Sequence, residues 1–490
     1  MEKSVKKNMI LNMLRTFISI AFPLITYPYA TRILQVENYG KVVYANSIIS
    51  YFLLVAALGI STYAIREGAL FRKSRDEFSK FASELFSINL FSTLISYVLY
   101  FVIFYIAFKT DNILLLNIFS LSIVFSTLSV EWINIIYEDY LYITVRSFII
   151  QVISFILLIV LIKSPSDYYK YAILQVMNTG VIAFLNLFYI KKYCDLKITF
   201  KMNIKKHLKP IMILFSNSLA VSIYLNVDNV ILGIIKGEYF VGIYSVAVKI
   251  YTILKQIVAA IYTVTVTRLT EYVSNSKFSD FEKLLNNVIN SVIFISIPIT
   301  FGIILTSKSI VSILAGKSYY DAYIPMNILV IAIIFAIIGG ALAYCVNLPF
   351  KRESKNLKAT IICALINLFS NFIAIPLWGV AGAALTTLIS EFFVCVILFI
   401  GMHDLWRYFQ FKSILVNFLK CLISSVFMIP ISIIISIFVV KTSVLYLLLM
   451  IFSCSIEYFA ISYFVKNDVM IDFVFNIKSR YNKIGKEICK

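Results

Sequence analysis

Charge is sparse in this 490-residue sequence, and negative charge is sparsest: 25 Asp and Glu stand against 44 Lys and Arg, and charged residues of both signs make up only 14% of the chain. A water-soluble fold of this length needs far more polar surface. A 61% hydrophobic composition with a mean hydropathy of +0.90 excludes one. Histidine occurs twice, at His207 and His403 near loop edges, which leaves too little imidazole for a histidine-built metal centre or catalytic set. The seven cysteines lack paired spacing, and most (Cys345, Cys363, Cys395, Cys421, Cys454) lie inside apolar runs, so no disulfide framework or zinc ligand set is expected. A Walker-type glycine loop is missing, which excludes direct powering by ATP. Gly/Ser linkers and low-complexity segments are missing too. No cofactor, no metal and no enzymatic activity are expected.

What fills the sequence instead is fourteen apolar stretches, nearly end to end. Each runs about 20 residues or more, enough at 1.5 Å per residue to cross a hydrocarbon core of roughly 30 Å. The expected fold is an all-α polytopic membrane protein of about 14 transmembrane helices. The first stretch follows a basic start but is long and contains Arg15, so it reads as a retained helix rather than a cleaved signal peptide. Basic residues sit in alternate gaps. Of the 44 Lys and Arg, 31 fall on one side and 9 on the other, leaving Arg15, Lys249, Lys255 and Lys420 inside the stretches. The positive-inside rule then places both termini in the cytoplasm. The net charge of +19 is mainly topological, and no nucleic-acid partner is expected.

The basic loop at 191–209 and a second basic gap near 403–412 divide the chain. The expected organisation is an N-terminal lobe at 1–200, a C-terminal lobe at 201–405, an extra helix pair at 406–466 and a cytoplasmic tail at 467–490. Weak internal similarity relates the two lobes. The first hairpin turns through Asn38-Tyr39-Gly40 and the seventh-to-eighth through Phe240-Val241-Gly242. Transporters often carry such repeats, with the substrate site where they meet, although glycine at a hairpin turn also has purely local reasons.

A charge near the bilayer centre costs about 2.5–3.5 kcal/mol on insertion scales, so each one needs a partner, an aqueous cavity or a task. The first helix carries Asn8, Asn12, Arg15, Ser19 and Thr26 on one face, with Pro23 and Pro28 permitting kinks. The eighth carries Ser245, Lys249, Thr252, Gln256, Thr263 and Thr267 as a second polar stripe, with Lys255 off it on the side of Tyr251 and Tyr262. Such stripes line aqueous cavities or mediate helix packing in lipid, and cations near helix ends snorkel. Asp228 and Lys249 sit at similar depth on successive helices, which suits either a plain buried ion pair or a latch that breaks during transport. Glu131, Glu391 and Glu457 are further acids within the stretches.

Several strings resemble the Wzx-type oligosaccharide and polysaccharide flippases, the polysaccharide-transport branch of the MOP exporter superfamily. They are FPLITYPYATRILQVENYGKVVYANSIISYF at 22–52, LGISTYAIREGA at 58–69, VEWINIIYEDYLYITVR at 130–146, LNVDNVILG at 225–233, VGIYSVAVK at 241–249 and PLWGVAGAALTTLISE at 376–391. Tyr137 departs from the glycine that many members place in the tryptophan segment. The resemblance covers roughly the whole chain. It implies two six-helix lobes around a central cavity, plus two extra C-terminal helices reminiscent of those in lipid-linked cell-wall precursor flippases. It also implies an oligosaccharide unit on polyprenyl pyrophosphate as cargo, carried from the inner to the outer leaflet of the bacterial plasma membrane. Partners would be that lipid-linked oligosaccharide, membrane lipid, and the polymerase and glycosyltransferases of the same pathway. Arg15, Arg66, Lys249 and Lys255 would serve the pyrophosphate, and Asp228 would serve as ion pair or coupling residue. The alternatives are a MATE-like multidrug or cation antiporter, disfavoured because the first helix has Arg15 and no acid, and a flippase for another lipid-linked cell-wall precursor. A membrane polymerase or glycosyltransferase would need larger outer loops.

Overall fold

The computed structural model describes residues 5–107, 112–200 and 203–475, and the regular structure in them is helical throughout. Lys3, Lys109, Lys201 and the basic tail after 475 lie outside the described residues, as do the side chains of Lys6, Lys7, Asn8 and Lys205. The chain forms two compact units, residues 1–245 and 246–490. Among the described residues 11 helices are long and apolar enough to cross a membrane, or up to 12 with the bent pair Lys206–Ile223 and Asn226–Lys236 taken as one span. The fourteen stretches of sequence exceed that count because two of these helices run on through a sharp turn.

The first such case opens the first unit. Helix α1 (Val5–Ala57) leaves the helical region at Gln35, with φ 61° and ψ 176°. The Tyr27 and Tyr39 rings meet edge-on, 5.6 Å apart. Twelve residues of straight helix would separate them by roughly 18 Å, so the chain folds back here. The returning limb stops before Leu58 and Gly59, both left-handed, and α2 (Ile60–Gly68) follows. Lipid offers no hydrogen bonds to carbonyls freed at such a break. Helix α3 (Arg75–Phe101) supplies them: Asn89 and Ser92 donate to the Ala56 carbonyl at 2.7 and 2.5 Å, and one turn earlier Ser96 adds a bond to the Phe52 carbonyl at 2.7 Å.

Helices α4 (Ile113–Ser129) and α5 (Glu131–Ile136) meet at Val130. A β-branched residue in the left-handed region, here with φ 35° and ψ 34°, is a conformational outlier. After α6 (Tyr140–Leu161) and α7 (Tyr168–Tyr189), the non-helical segment 194–199 lies along α3. The amides of Asp195, Lys197 and Thr199 donate to Ser79, Ser83 and Ser87 at 3.0, 3.0 and 2.9 Å. Two residues of extended chain advance about 6.6 Å and four residues of helix about 6 Å, so every second amide meets every fourth serine.

Helix α8 (Ile204–Lys236) closes the unit with the start of α9 (Glu238–Ser274). Their turn meets the α1 turn through backbone. A Cβ on Gly40 would run into the carbonyl of Glu238, and one on Gly242 into that of Val36. The two glycines therefore have a packing role beyond their local turns, as small residues do wherever membrane helices approach closely.

The second unit takes the rest of α9, then α10 (Phe278–Leu314), α11 (Tyr323–Ala341) and α12 (Glu353–Gly401). Helix α12 is the second folded-back helix. It turns at Gly379, with φ 55° and ψ −127°, so that Thr386 donates to Asn371 at 2.7 Å. Helices α13 (Phe411–Val426), α14 (Met428–Phe438) and α15 (Val444–Phe464) pack beside α10. Asn417 and Tyr458 bind the carbonyls of Asn290 and Phe294 at 3.0 and 2.8 Å. An apolar groove of about 510 Å³ runs between α10, α14 and α15, lined by Pro298, Gly302, Met428, Leu447 and Ile451 among others.

Candidate functional site

The break at Val130 sets Glu131 at the start of α5, where two guanidinium groups converge on it. Arg15 of α1 pairs with Oε1 and Arg146 of α6 with Oε2. The second Nη of Arg146 donates to Asn186 of α7 at 2.9 Å, and Asn186 is held in turn by Asn134 and the Ser129 carbonyl. The Tyr142 ring lies 5.2 Å from the Arg146 guanidinium, within cation–π range. Arg146 is 5% exposed, yet its buried Nε has no hydrogen-bond partner. The Arg15 side chain keeps 32% of its surface. Two cations share one carboxylate, so the cluster holds one uncompensated positive charge, reachable through Arg15. Charge-assisted, paired contacts of this kind are the strong ones.

Arg66 takes a different position. It is 60% exposed, pairs with neighbouring Glu67 at 2.9 Å and lies 5.9 Å from the Tyr63 ring. Asp228 is buried and accepts from the Tyr244 hydroxyl at 2.8 Å. At the opposite end of α8, His207 is fully buried between Tyr63 (2.9 Å from Nδ1) and Glu84 (3.1 Å from Nε2). Tyr137, the departure in the tryptophan segment, stacks on Tyr193 at 4.2 Å. Tyr193 also donates to Asp139, and burial first, then that carboxylate, pushes its phenol well above the ordinary range.

In the second unit Lys255 binds Glu391 of α12 at 2.6 Å, and the Tyr251 hydroxyl donates to the same carboxylate oxygen. This is the side on which the sequence placed Lys255. Lys249 is half-buried and makes no ion pair or hydrogen bond within its own unit among the described residues. Gln256, Thr263 and Thr267 of its stripe are exposed, as are Asn12 and Ser19 on α1. No group of three or more metal-ligating side chains occurs among the described residues.

Sequence reasoning singled out Arg15 and noticed Glu131 but missed their pairing. It counted Arg146 as a topological charge. The signal was present: Glu131 and Arg146 open and close one motif, VEWINIIYEDYLYITVR. What hid the contact was the turn between them, which folds α5 and α6 so that the ends of the motif meet.

Residues 5–273 match the family of polysaccharide biosynthesis proteins. The chain belongs to that family. Arg15, Glu131, Arg146, Lys249 and Lys255 all lie within the stretch that family membership covers. Among curated relatives, the capsular polysaccharide biosynthesis protein CapF of Staphylococcus aureus is 27% identical over 244 residues, 48% of this chain and 61% of that protein. The chain thus spans less than two thirds of that relative's length. A putative O-antigen transporter of Shigella dysenteriae is 25% identical over 406 residues, 81% of this chain and 98% of that protein. Among solved structures, the lipid II flippase MurJ superposes with a TM-score of 0.77 at 18% identity, covering 94% of this chain and 100% of that one. An inward-facing multidrug resistance MATE family transporter of the MOP superfamily gives 0.59 at 13%, covering 82% and 98%. At such identities the likeness is one of fold, and the fold of this family member is that of the MurJ and MATE transporters.

Proposed function

We propose that this protein is a flippase for polyprenyl-pyrophosphate-linked oligosaccharide, working by alternating access in the bacterial plasma membrane with both termini in the cytoplasm. The observation that carries the reading is the surplus positive charge of Arg15, Glu131 and Arg146, placed within the apolar helices of a polysaccharide biosynthesis family member. A pyrophosphate leaving water needs cations to replace its hydration, and arginine meets phosphate oxygens in pairs. Arg66, Lys249 and Lys255 are further cations for the same cargo, and Asp228 is a candidate for coupling. The exposed Asn, Gln, Ser and Thr of the two stripes suit hydroxyl-rich sugars. The apolar groove beside α14 and α15 suits a polyprenyl tail, which would then never leave a hydrocarbon environment. Polymerase and glycosyltransferases of the same pathway are the proposed partners.

A cation antiporter needs carboxylates free to meet its substrate. Here Glu131 and Glu391 already hold arginine and lysine, and of the acids within the apolar stretches Glu457 on α15 alone lacks a hydrogen-bond partner among the described residues. The test is complementation of a bacterial strain that lacks its own glycan flippase. Surface glycan restored by the wild type and lost with Arg15→Ala or Lys249→Ala, at equal membrane abundance, is the expected result. Restoration by both variants would overturn the anion-site reading.

A further inference from the structure

We infer that Glu131 is an internal stand-in for the substrate's pyrophosphate, and that Arg146 joins Arg15 in taking the incoming anion as Glu131 lets go. This rests on the flippase reading above. A pyrophosphate esterified at both ends carries one ionised oxygen on each phosphorus, and each would find one guanidinium. With Glu131 in place the two arginines keep a single surplus charge, enough to attract the anion. With Glu131 withdrawn their charge balances that of the pyrophosphate diester. Bare arginines in the bilayer would be unfavourable before the substrate arrives and after it leaves. A carboxylate that returns between them removes that penalty and helps expel the product.

Three further observations support an exchange rather than a fixed structural pair. Arg146 is buried by Asn186 and Tyr142 but keeps an unsatisfied Nε, a donor with no acceptor in the resting cluster. Arg15 remains accessible from outside the cluster. Glu131 hangs from Val130, the strained joint between α4 and α5. Strain of this sort persists where the surroundings hold it, and it concentrates at sites that move. Relaxing Val130 would carry Glu131 away while Arg146, anchored on α6 and by Asn186, stays.

The test uses the full chain in lipid nanodiscs, with undecaprenyl pyrophosphate carrying a single sugar on its outer phosphate, and so the diester, as probe and undecaprenol as control. Glu131→Gln is expected to bind the pyrophosphate lipid about tenfold tighter than the wild type, the effect of one charge-assisted competitor removed, while its transport turnover falls. Arg146→Lys is expected to bind about tenfold more weakly, because the forked donor is lost. Labelling of Glu131 in the wild type by a carbodiimide, read by peptide mass spectrometry, keeps the proposal testable if a variant does not fold. Labelling should rise severalfold with the pyrophosphate diester and stay level with undecaprenol. Wild-type binding with unchanged affinity in folded Glu131→Gln, or with no rise in labelling, overturns the exchange and leaves the flippase reading standing. No wild-type binding of the pyrophosphate lipid overturns both.

Discussion

In each unit a carboxylate within the apolar helices meets a cation from another helix, and the two clusters differ in what is left over. In the first, Glu131 is shared by Arg15 and Arg146 and one positive charge remains. In the second, Glu391 is matched by Lys255 and takes a further bond from Tyr251, so the charge is balanced. Glu391 is the more enclosed, with 4% of its side chain exposed against 22% for Glu131. The same device therefore serves two ends. A balanced, enclosed pair lets a lysine enter the membrane and ties α9 to α12. An unbalanced, accessible one leaves a positive charge within the apolar helices, which the proposed anion site would use. Such pairs are weak evidence for stability as such, since desolvation offsets much of the attraction.

The largest effect should come from removing the surplus. Arg146→Ala leaves Arg15 and Glu131 as a neutral pair, and glycan export in the complementation assay should drop to background while the protein stays folded in the membrane. Export at the wild-type level would show that the surplus is incidental. Next comes the balanced pair: Glu391→Ala strands Lys255 in an apolar setting and should destabilise the second unit by about 3–5 kcal/mol, read as a large fall in thermal stability in detergent. Tyr251→Phe removes the hydroxyl that bonds Glu391 and Lys255 but keeps the ion pair, and should cost only about 1.5–3 kcal/mol. If Tyr251→Phe were as damaging as Glu391→Ala, the phenol rather than the ion pair would be holding α9 to α12.

The smallest effect belongs to an ion pair outside the spans, Arg352 with Asp404 at 2.5 Å, both side chains partly exposed. The Arg352 guanidinium holds the Asp404 carboxyl well below its ordinary value of 3.8. A lowered folded pKa contributes stability that is present above the ordinary value and fades as pH falls through the folded one. Thermal stability of Asp404→Asn against the wild type should therefore differ by the same small amount from pH 5 to 8, and the difference should shrink only below about pH 4. A difference that varied between pH 5 and 8 would point to another titrating group.

The membrane class was legible in composition because hydropathy answers to the solvent alone. The paired glycines were legible too: Gly40 and Gly242 sit at matching turns, and the backbone contact explains why. Lys255 was placed correctly beside Tyr251, since four residues on a helix fix a shared face. The partners were not legible. Glu131 meets Arg15 across 116 residues and Lys255 meets Glu391 across 136, and helical periodicity says nothing about which helices adjoin. The helix break at Val130 was hidden for another reason: valine has no preference for the left-handed region, so nothing local announces it. His207 looked like a loop-edge residue because α8 begins only three residues earlier, and its burial comes from α2 and α3.

The most direct measurement is a leaflet-to-leaflet flipping assay in proteoliposomes loaded with a fluorescent polyprenyl-pyrophosphate oligosaccharide. The wild type should move the lipid far faster than empty vesicles, and Arg15→Ala and Arg146→Ala should fall to the empty-vesicle rate. Flipping by both variants at the wild-type rate, or none by the wild type, would contradict an arginine-built anion site at the heart of transport.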